Sequence, residues 1–108
     1  MNVRLYLLQR ATAVLMVPLI VGHLVVILYA SRKGLAASDI LARTRGSFMW
    51  GLYYGAFVLA AAVHGAIGLR TVVHEWAGMK GRSLDLVMWV AGAVLAGLGF
   101  RAVWAVVM

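Results

Sequence analysis

The sequence predicts an all-α membrane protein whose three transmembrane helices form part of a larger, multi-subunit helical bundle. Of its 108 residues, 65% are hydrophobic and only 12% are charged, which is too apolar for an ordinary soluble domain. Three apolar runs occupy residues 11–30, 48–69 and 86–107. Each run of roughly 20 residues, at ~1.5 Å per residue, matches a hydrocarbon core of about 30 Å. Because both connections are short, we expect residues 1–108 to be a single transmembrane domain.

The first span and the connection after it contain recognisable helix signals. The segment MNVRLYLLQR is amphipathic, and we expect it to lie in the membrane interface before the chain turns into the span. Pro18 lies inside the span and is expected to bend the helix. In the connection, Gly34 is a predicted helix stop, and Ser38 or Asp39 is a predicted cap of a short interfacial turn.

The second connection, WAGMKGRSLD, separates the second and third spans. Gly78 and Gly81 are predicted stops, and Ser83 or Asp85 is expected to cap the third span. Small side chains within the third span predict close approach to another helix. They are Gly92, Ala96, Gly97 and Gly99.

The net charge of +7 indicates membrane anchoring and not nucleic-acid binding, because the basic residues flank the apolar runs and do not form one basic face. One side of the membrane is expected to carry Arg4, Arg10, Arg70, Lys80 and Arg82. The other is expected to carry Arg32, Lys33, Arg43, Arg45 and Arg101. The equal numbers give no orientation. The absence of cysteine excludes thiolate ligation of haem and bound iron–sulfur clusters.

Two histidines, His23 and His64, lie within apolar runs, where a polar side chain must face a partner or a cavity. His64 lies on a helical stripe of mostly small residues, which would leave room for a flat macrocycle but would equally suit tight helix packing. The stripe consists of Phe57, Ala60, Ala61, His64, Gly68, Thr71 and Glu75. Neutral imidazole is a good axial ligand of haem iron. Arg70, nearer the polar boundary, could neutralise haem propionates or act as an interfacial anchor.

Two motifs resemble the membrane subunits of succinate:quinone oxidoreductase, the family of succinate dehydrogenase and fumarate reductase. HGAIGLRTVVHEW, at residues 64–76, is similar to the histidine motif of their second helix, with Gly68, Arg70 and Glu75 at matching spacing. LLQRATAVLMVP, at residues 7–18, resembles the start of their first helix. These motifs do not distinguish the family's cytochrome b subunit from its hydrophobic anchor subunit. The RATA pattern of the first motif is more typical of the anchor subunit, whereas Gly-x-Arg after the histidine is more typical of the cytochrome b subunit.

The resemblance implies functions for individual residues. It implies that His64 is an axial ligand of haem b, commonly shared with a histidine of a second small membrane subunit. Arg10 matches an arginine near the quinone site and the haem propionates. Glu75 matches a position usually occupied by aspartate, and Trp76 stands where the anchor subunit has a quinone-binding tyrosine. Tryptophan has only an N–H donor, so it could stack on quinone or donate one hydrogen bond, or it could belong to the interfacial aromatic belt.

The remaining histidines allow several interpretations. His23 should lie about 18 Å from the membrane face bearing Arg70 and His64 about 8 Å, an offset of about 10 Å that disfavours ligation of one iron by both. His23 could instead ligate a second haem together with a partner, or pack in the bundle. His74 could be solvated at the interface or could deliver protons to quinone together with Glu75.

The functional prediction is therefore a membrane anchor subunit of succinate dehydrogenase or fumarate reductase, an enzyme subunit outside the catalytic core. By the same resemblance, it would hold haem b and pass electrons to ubiquinone or menaquinone. Its partners would be a flavoprotein subunit, an iron–sulfur subunit and the second membrane subunit, in the bacterial inner membrane. Two alternatives are a small b-type cytochrome subunit of another quinone-linked dehydrogenase and a small membrane protein without a redox function.

Overall fold

The computed structural model describes residues 2–108, and these residues form four helices and no strand. The helices are α1 (Val3–Lys33), α2 (Ala37–Thr44), α3 (Phe48–Ala77) and α4 (Gly81–Val107). Helices α1, α3 and α4 have the length and hydropathy of membrane spans. The all-α prediction with three spans is therefore confirmed.

Helix α1 is a continuous helix of 31 residues, which corresponds to roughly 46 Å and exceeds the thickness of a hydrocarbon core. It begins at Asn2, whose side-chain oxygen accepts a hydrogen bond from Leu5 N at 2.8 Å, and it continues through Pro18. The expected turn between the N-terminal segment and the span is wrong, because α1 is unbroken from Val3 to Lys33. Residues 3–10 contain no glycine or proline and consist largely of good helix formers, so the span simply extends through them.

Gly34 and Gly78 end helices as predicted, whereas the prediction of Gly81 as a stop is wrong and the expected caps of α4 do not form. Gly34 ends α1 and Gly78 ends α3, both in the left-handed conformation with φ of 64° and 69°. Helix α4 begins already at Gly81, so Ser83 and Asp85 lie inside the helix and do not cap it. Ser83 donates a hydrogen bond to Lys80 O, and the Asp85 carboxylate instead faces Arg70.

Neither Ser38 nor Asp39 is the N-cap of α2, because both lie inside the helix, and Asp39 contributes to its start from there. The residue that precedes this short helix is Ala36, whose N–H donates to the Asp39 carboxylate at 2.9 Å. Helix α2 is joined to the end of α4, because Gly46 N donates to Val107 O at 2.8 Å and the buried Thr44 hydroxyl donates to Val106 O.

Helix α3 is central and lies antiparallel to both α1 and α4. Against α4, Gly92 lies beside Ala66 and Gly99 beside Val58, so close that an added Cβ would come within 3.3 Å of Ala66 Cβ and would overlap Val58. Close packing of these two glycines is confirmed, whereas a Cβ at Gly97 would meet nothing within 4 Å.

The two ends of the molecule are formed by different helix termini. We call the end formed by the start of α1, the end of α3 and the start of α4 the Arg70 end. We call the opposite end, where α2 lies, the α2 end. Large apolar side chains are exposed along all three long helices, as expected for surfaces that contact lipid or other membrane subunits.

Candidate functional site

His64 faces α1, where it meets the hydroxyl group of Thr12. Its Nδ1 lies 3.3 Å from Thr12 Oγ1, and Thr12 is 7% exposed. Thr12 Oγ1 also lies 2.9 Å from Leu8 O and 3.0 Å from Gln9 O, one turn earlier in α1. The imidazole is therefore held by a side chain 52 residues away in the sequence.

The second ring nitrogen of His64 is available to a ligand. Within residues 2–108, Nε2 has no hydrogen-bond partner, and the atom is not buried. The ring is partly exposed at the surface of the chain. An imidazole fixed through Nδ1 with an accessible Nε2 meets the requirement for an axial ligand of haem iron.

The stripe of α3 that carries His64 is not an open groove. Helix α1 lies on it, with His23 against Phe57 and Gln9 against Gly68. The expectation that small residues on this stripe leave room for a macrocycle is therefore wrong within this chain, because the same small residues allow α1 to approach. A haem held by His64 would have to contact the exposed edge of the ring, from the side of a neighbouring subunit.

Gln9 adds a polar group that the sequence did not single out. Its side chain lies next to Gly68, one turn from His64, and its Oε1 is buried without a hydrogen-bond partner among residues 2–108. A buried acceptor without a donor costs about 1–3 kcal/mol. The unpaired Gln9 Oε1 therefore adds a costly polar atom to the polar cluster formed by Gln9, Thr12 and His64.

At the Arg70 end, the two expected cations have partners within the chain. Arg70 is paired with Asp85 of α4, with Nη2 and Oδ1 3.1 Å apart and Nε donating to the same oxygen at 3.2 Å. Arg10 is exposed and its guanidinium lies 5.4 Å from the centre of the Tyr6 ring. Since a guanidinium has five N–H donors, both arginines retain donors for an anion.

The residues at the end of α3 are exposed and do not form an enclosed pocket in this chain. Trp76 is 86% exposed, and Glu75 is also exposed. The His74 Nδ1–H donates to Met79 O at 2.9 Å and so closes the turn after the helix. Any quinone pocket that uses Glu75 and Trp76 must be completed by another subunit.

His23 lies at a different level from His64, towards the α2 end. Its Nδ1 is 3.3 Å from the Tyr54 hydroxyl, and its ring makes edge contacts with Tyr54 and Phe57. It also lines an apolar cavity of about 620 Å³ that is bordered by all four helices. A second apolar cavity, of about 440 Å³, lies nearer the Arg70 end, and His64 lines neither of the two.

The described residues supply no complete set of protein ligands for a metal ion. Within residues 2–108, no three His, Cys, Asp or Glu side chains lie close enough together to hold one. Haem needs no such set, because its macrocycle provides four nitrogen ligands and the protein needs to supply only axial ones.

Three residues of these clusters, Gln9, Thr12 and Tyr54, escaped the sequence analysis. Gln9 and Thr12 are three residues apart, hence on one helix face, and both fall in the LLQRATAVLMVP motif. This spacing of two polar residues in the sequence could have predicted a polar face on the first span. No comparable signal singled out Tyr54 among the aromatic residues at the start of the second span.

The three apolar helices and the polar cluster between them define a multi-pass membrane protein with a small, internally anchored histidine site. Residues 1–100 match the model of the family described as "Succinate dehydrogenase/Fumarate reductase transmembrane subunit". The chain belongs to this family, as its two motifs predicted. No curated protein and no solved structure matches the chain.

Proposed function

We propose that this chain is the membrane anchor subunit of a succinate:quinone oxidoreductase, in which His64 is an axial ligand of haem b and the Arg70 end borders the quinone site. The observation that carries the proposal is the state of the His64 ring. Its Nδ1 is fixed by Thr12 inside the chain, while its Nε2 is accessible and has no partner within residues 2–108. A ring held in this way can present the lone pair of Nε2 to haem iron.

Bound haem b would supply a centre that accepts and releases single electrons between the iron–sulfur subunit and quinone. The residues of this chain would hold it and serve the quinone around it. His64 would bind the iron through Nε2, and Arg70 and Arg10 would neutralise the propionates or the quinone edge with their remaining donors. Near the membrane surface, the exposed His74 and Glu75 would exchange protons with water, and Trp76 would stack on the quinone ring or donate one hydrogen bond.

The proposed partners rest on the family of the chain and on the surfaces that it leaves exposed. Membership of the family implies a complex with other subunits of the enzyme. We propose a flavoprotein and an iron–sulfur protein at the Arg70 end, on the cytoplasmic side of a bacterial inner membrane, and a second small membrane subunit beside His64. The exposure of the large aromatic side chain of Trp76 supports a contact with another subunit at this end.

The test is the reduced-minus-oxidised absorption spectrum of the purified membrane complex. We expect a haem b signal that is lost or strongly weakened by His64→Ala. His74→Ala is the matched control, because its ring bonds only the Met79 carbonyl and is expected to leave the spectrum unchanged. A complex without a haem b signal, or equal losses in the two variants, would rule out the proposed ligand.

A further inference from the structure

We infer that Thr12 is a positioning residue that fixes the proton of His64 on Nδ1 and so keeps the lone pair of Nε2 directed away from α1. This inference rests on the proposed function of His64 as a haem ligand. It concerns a residue that contacts neither the iron nor the quinone and acts only through the imidazole.

The argument begins with the single proton of the Thr12 hydroxyl. Two backbone carbonyls lie within hydrogen-bonding distance of Oγ1, Leu8 O at 2.9 Å and Gln9 O at 3.0 Å, both closer than His64 Nδ1 at 3.3 Å. Carbonyl oxygens only accept, so either contact requires the hydroxyl to donate. A threonine in a helix commonly donates to a carbonyl one turn earlier in this way.

Once the hydroxyl proton is directed to a carbonyl, Oγ1 presents only lone pairs to the imidazole. His64 Nδ1 must then carry a proton and donate it to Oγ1, because two acceptors facing each other would repel. In a neutral imidazole this leaves Nε2 without a proton and with its lone pair free. The opposite tautomer would protonate Nε2 and prevent it from binding iron.

The same hydrogen bond would also adjust the ligand. A histidine that donates its second N–H to an acceptor is oriented by it and becomes a more basic ligand, and loss of such a bond typically costs about 10–100-fold in metal affinity. A more basic axial ligand stabilises ferric over ferrous iron. Thr12 should therefore strengthen haem retention and lower the midpoint potential of the haem.

Thr12→Val and Thr12→Ser separate the hydroxyl group from the shape of the side chain. In the assembled membrane complex, we expect Thr12→Val to weaken haem retention about 10–100-fold against a haem-scavenging protein and to raise the midpoint potential of the remaining haem. Thr12→Ser keeps the hydroxyl and should restore both values. Thr71→Val is the matched control, because the Thr71 hydroxyl donates to Ile67 O in the same manner and contacts no imidazole.

The outcomes separate this inference from the proposed function. Suppose that His64→Ala removes haem, while Thr12→Val has the same haem retention, midpoint potential and spectrum as the unaltered complex. The proposed role of Thr12 is then wrong, and the assignment of His64 as a ligand stands. If His64→Ala keeps its haem, the proposed function itself fails. Equal shifts in Thr12→Val and Thr71→Val would mean a general loosening of the helices and would also overturn the inference. Should Thr12→Val fail to accumulate, Thr12→Ala removes the same hydroxyl with less bulk and is measured in the same way.

Discussion

His64 and His23 both lie inside apolar helices, but their surroundings give them different chemical possibilities. His64 meets a hydroxyl that already has carbonyl acceptors, and its other nitrogen is accessible. His23 meets the Tyr54 hydroxyl, which has no other partner within residues 2–108 and can therefore either donate or accept. The polar neighbour of a membrane histidine thus decides whether its lone pair has a defined direction.

The two histidines also differ in the residues that surround them beyond these hydroxyl groups. His64 shares its cluster with the buried amide of Gln9 and lies nearer the Arg70 end. His23 lies among Tyr54 and Phe57, beside an apolar cavity. Both rings have an Nε2 without a partner within residues 2–108, so the two regions differ in the polar neighbour of the ring and in the apolar volume beside it.

The largest expected effect comes from deleting each imidazole in turn. His64→Gly should abolish the haem b absorption, and added imidazole should restore part of it, because the missing ring leaves space beside Thr12. His23→Gly should keep the signal, since its ring lies at another level. Both are measured as reduced-minus-oxidised spectra per mole of complex. Loss of part of the haem in His23→Gly would instead identify a second haem at His23 and would remove the contrast between the two regions.

A smaller effect is expected from adding a methyl group near the His23 region. Gly99→Ala forces a Cβ into Val58 and should lower the free energy of unfolding by about 1–3 kcal/mol through overpacking. Gly97→Ala, two residues away, meets no atom within 4 Å and should be neutral or stabilising by up to about 1 kcal/mol through helix propensity. Denaturant unfolding in detergent compares them. Similar losses in both variants would contradict the α3–α4 packing described above.

The smallest effects are expected from the ion pair at the Arg70 end. Asp85→Asn should change the free energy of unfolding by less than about 1 kcal/mol, because the carboxylate is 53% exposed. It should nevertheless raise the haem midpoint potential slightly, since removing a negative charge favours the reduced iron. Arg70→Gln should lower the potential. Redox titration measures both, and shifts of the same sign would exclude an electrostatic contribution of this pair to the haem.

Much of the fold could be predicted from the sequence, because hydropathy and glycine stops are local properties. The three apolar runs became three helices, and α1 and α3 end at Gly34 and Gly78. The second span begins at Phe48 as predicted, whereas the starts of α1 and α4 were harder to predict. Residues 3–10 and the first turn of α4 are polar enough to look like interface or loop, yet both are helical. Good helix formers account for residues 3–10, whereas Gly81 and Ser83 are weak helix formers.

The candidate site was only partly predictable. The position of His64 followed from its motif, but its contact with Thr12 joins residues 52 positions apart. The partner of Arg70 was also unexpected, because Asp85 had been interpreted as a helix cap. Such contacts depend on the rotation and relative height of neighbouring helices, which hydropathy does not specify.

The sequence by itself determined that this chain spans a membrane three times, that it belongs with the membrane subunits of succinate dehydrogenase and fumarate reductase, and which histidines lie at membrane depth. The tertiary structure decided which polar groups meet. Small residues let the helices approach closely enough for Gly92 to pack on Ala66 and Gln9 on Gly68, and this packing fixes the register of the helices. The register then brings the Thr12 hydroxyl to His64 and the Tyr54 hydroxyl to His23. An unpaired polar group is costly in an apolar environment, so each histidine keeps its contact with the neighbouring hydroxyl through Nδ1. Nε2 is then the ring nitrogen that can bind a ligand.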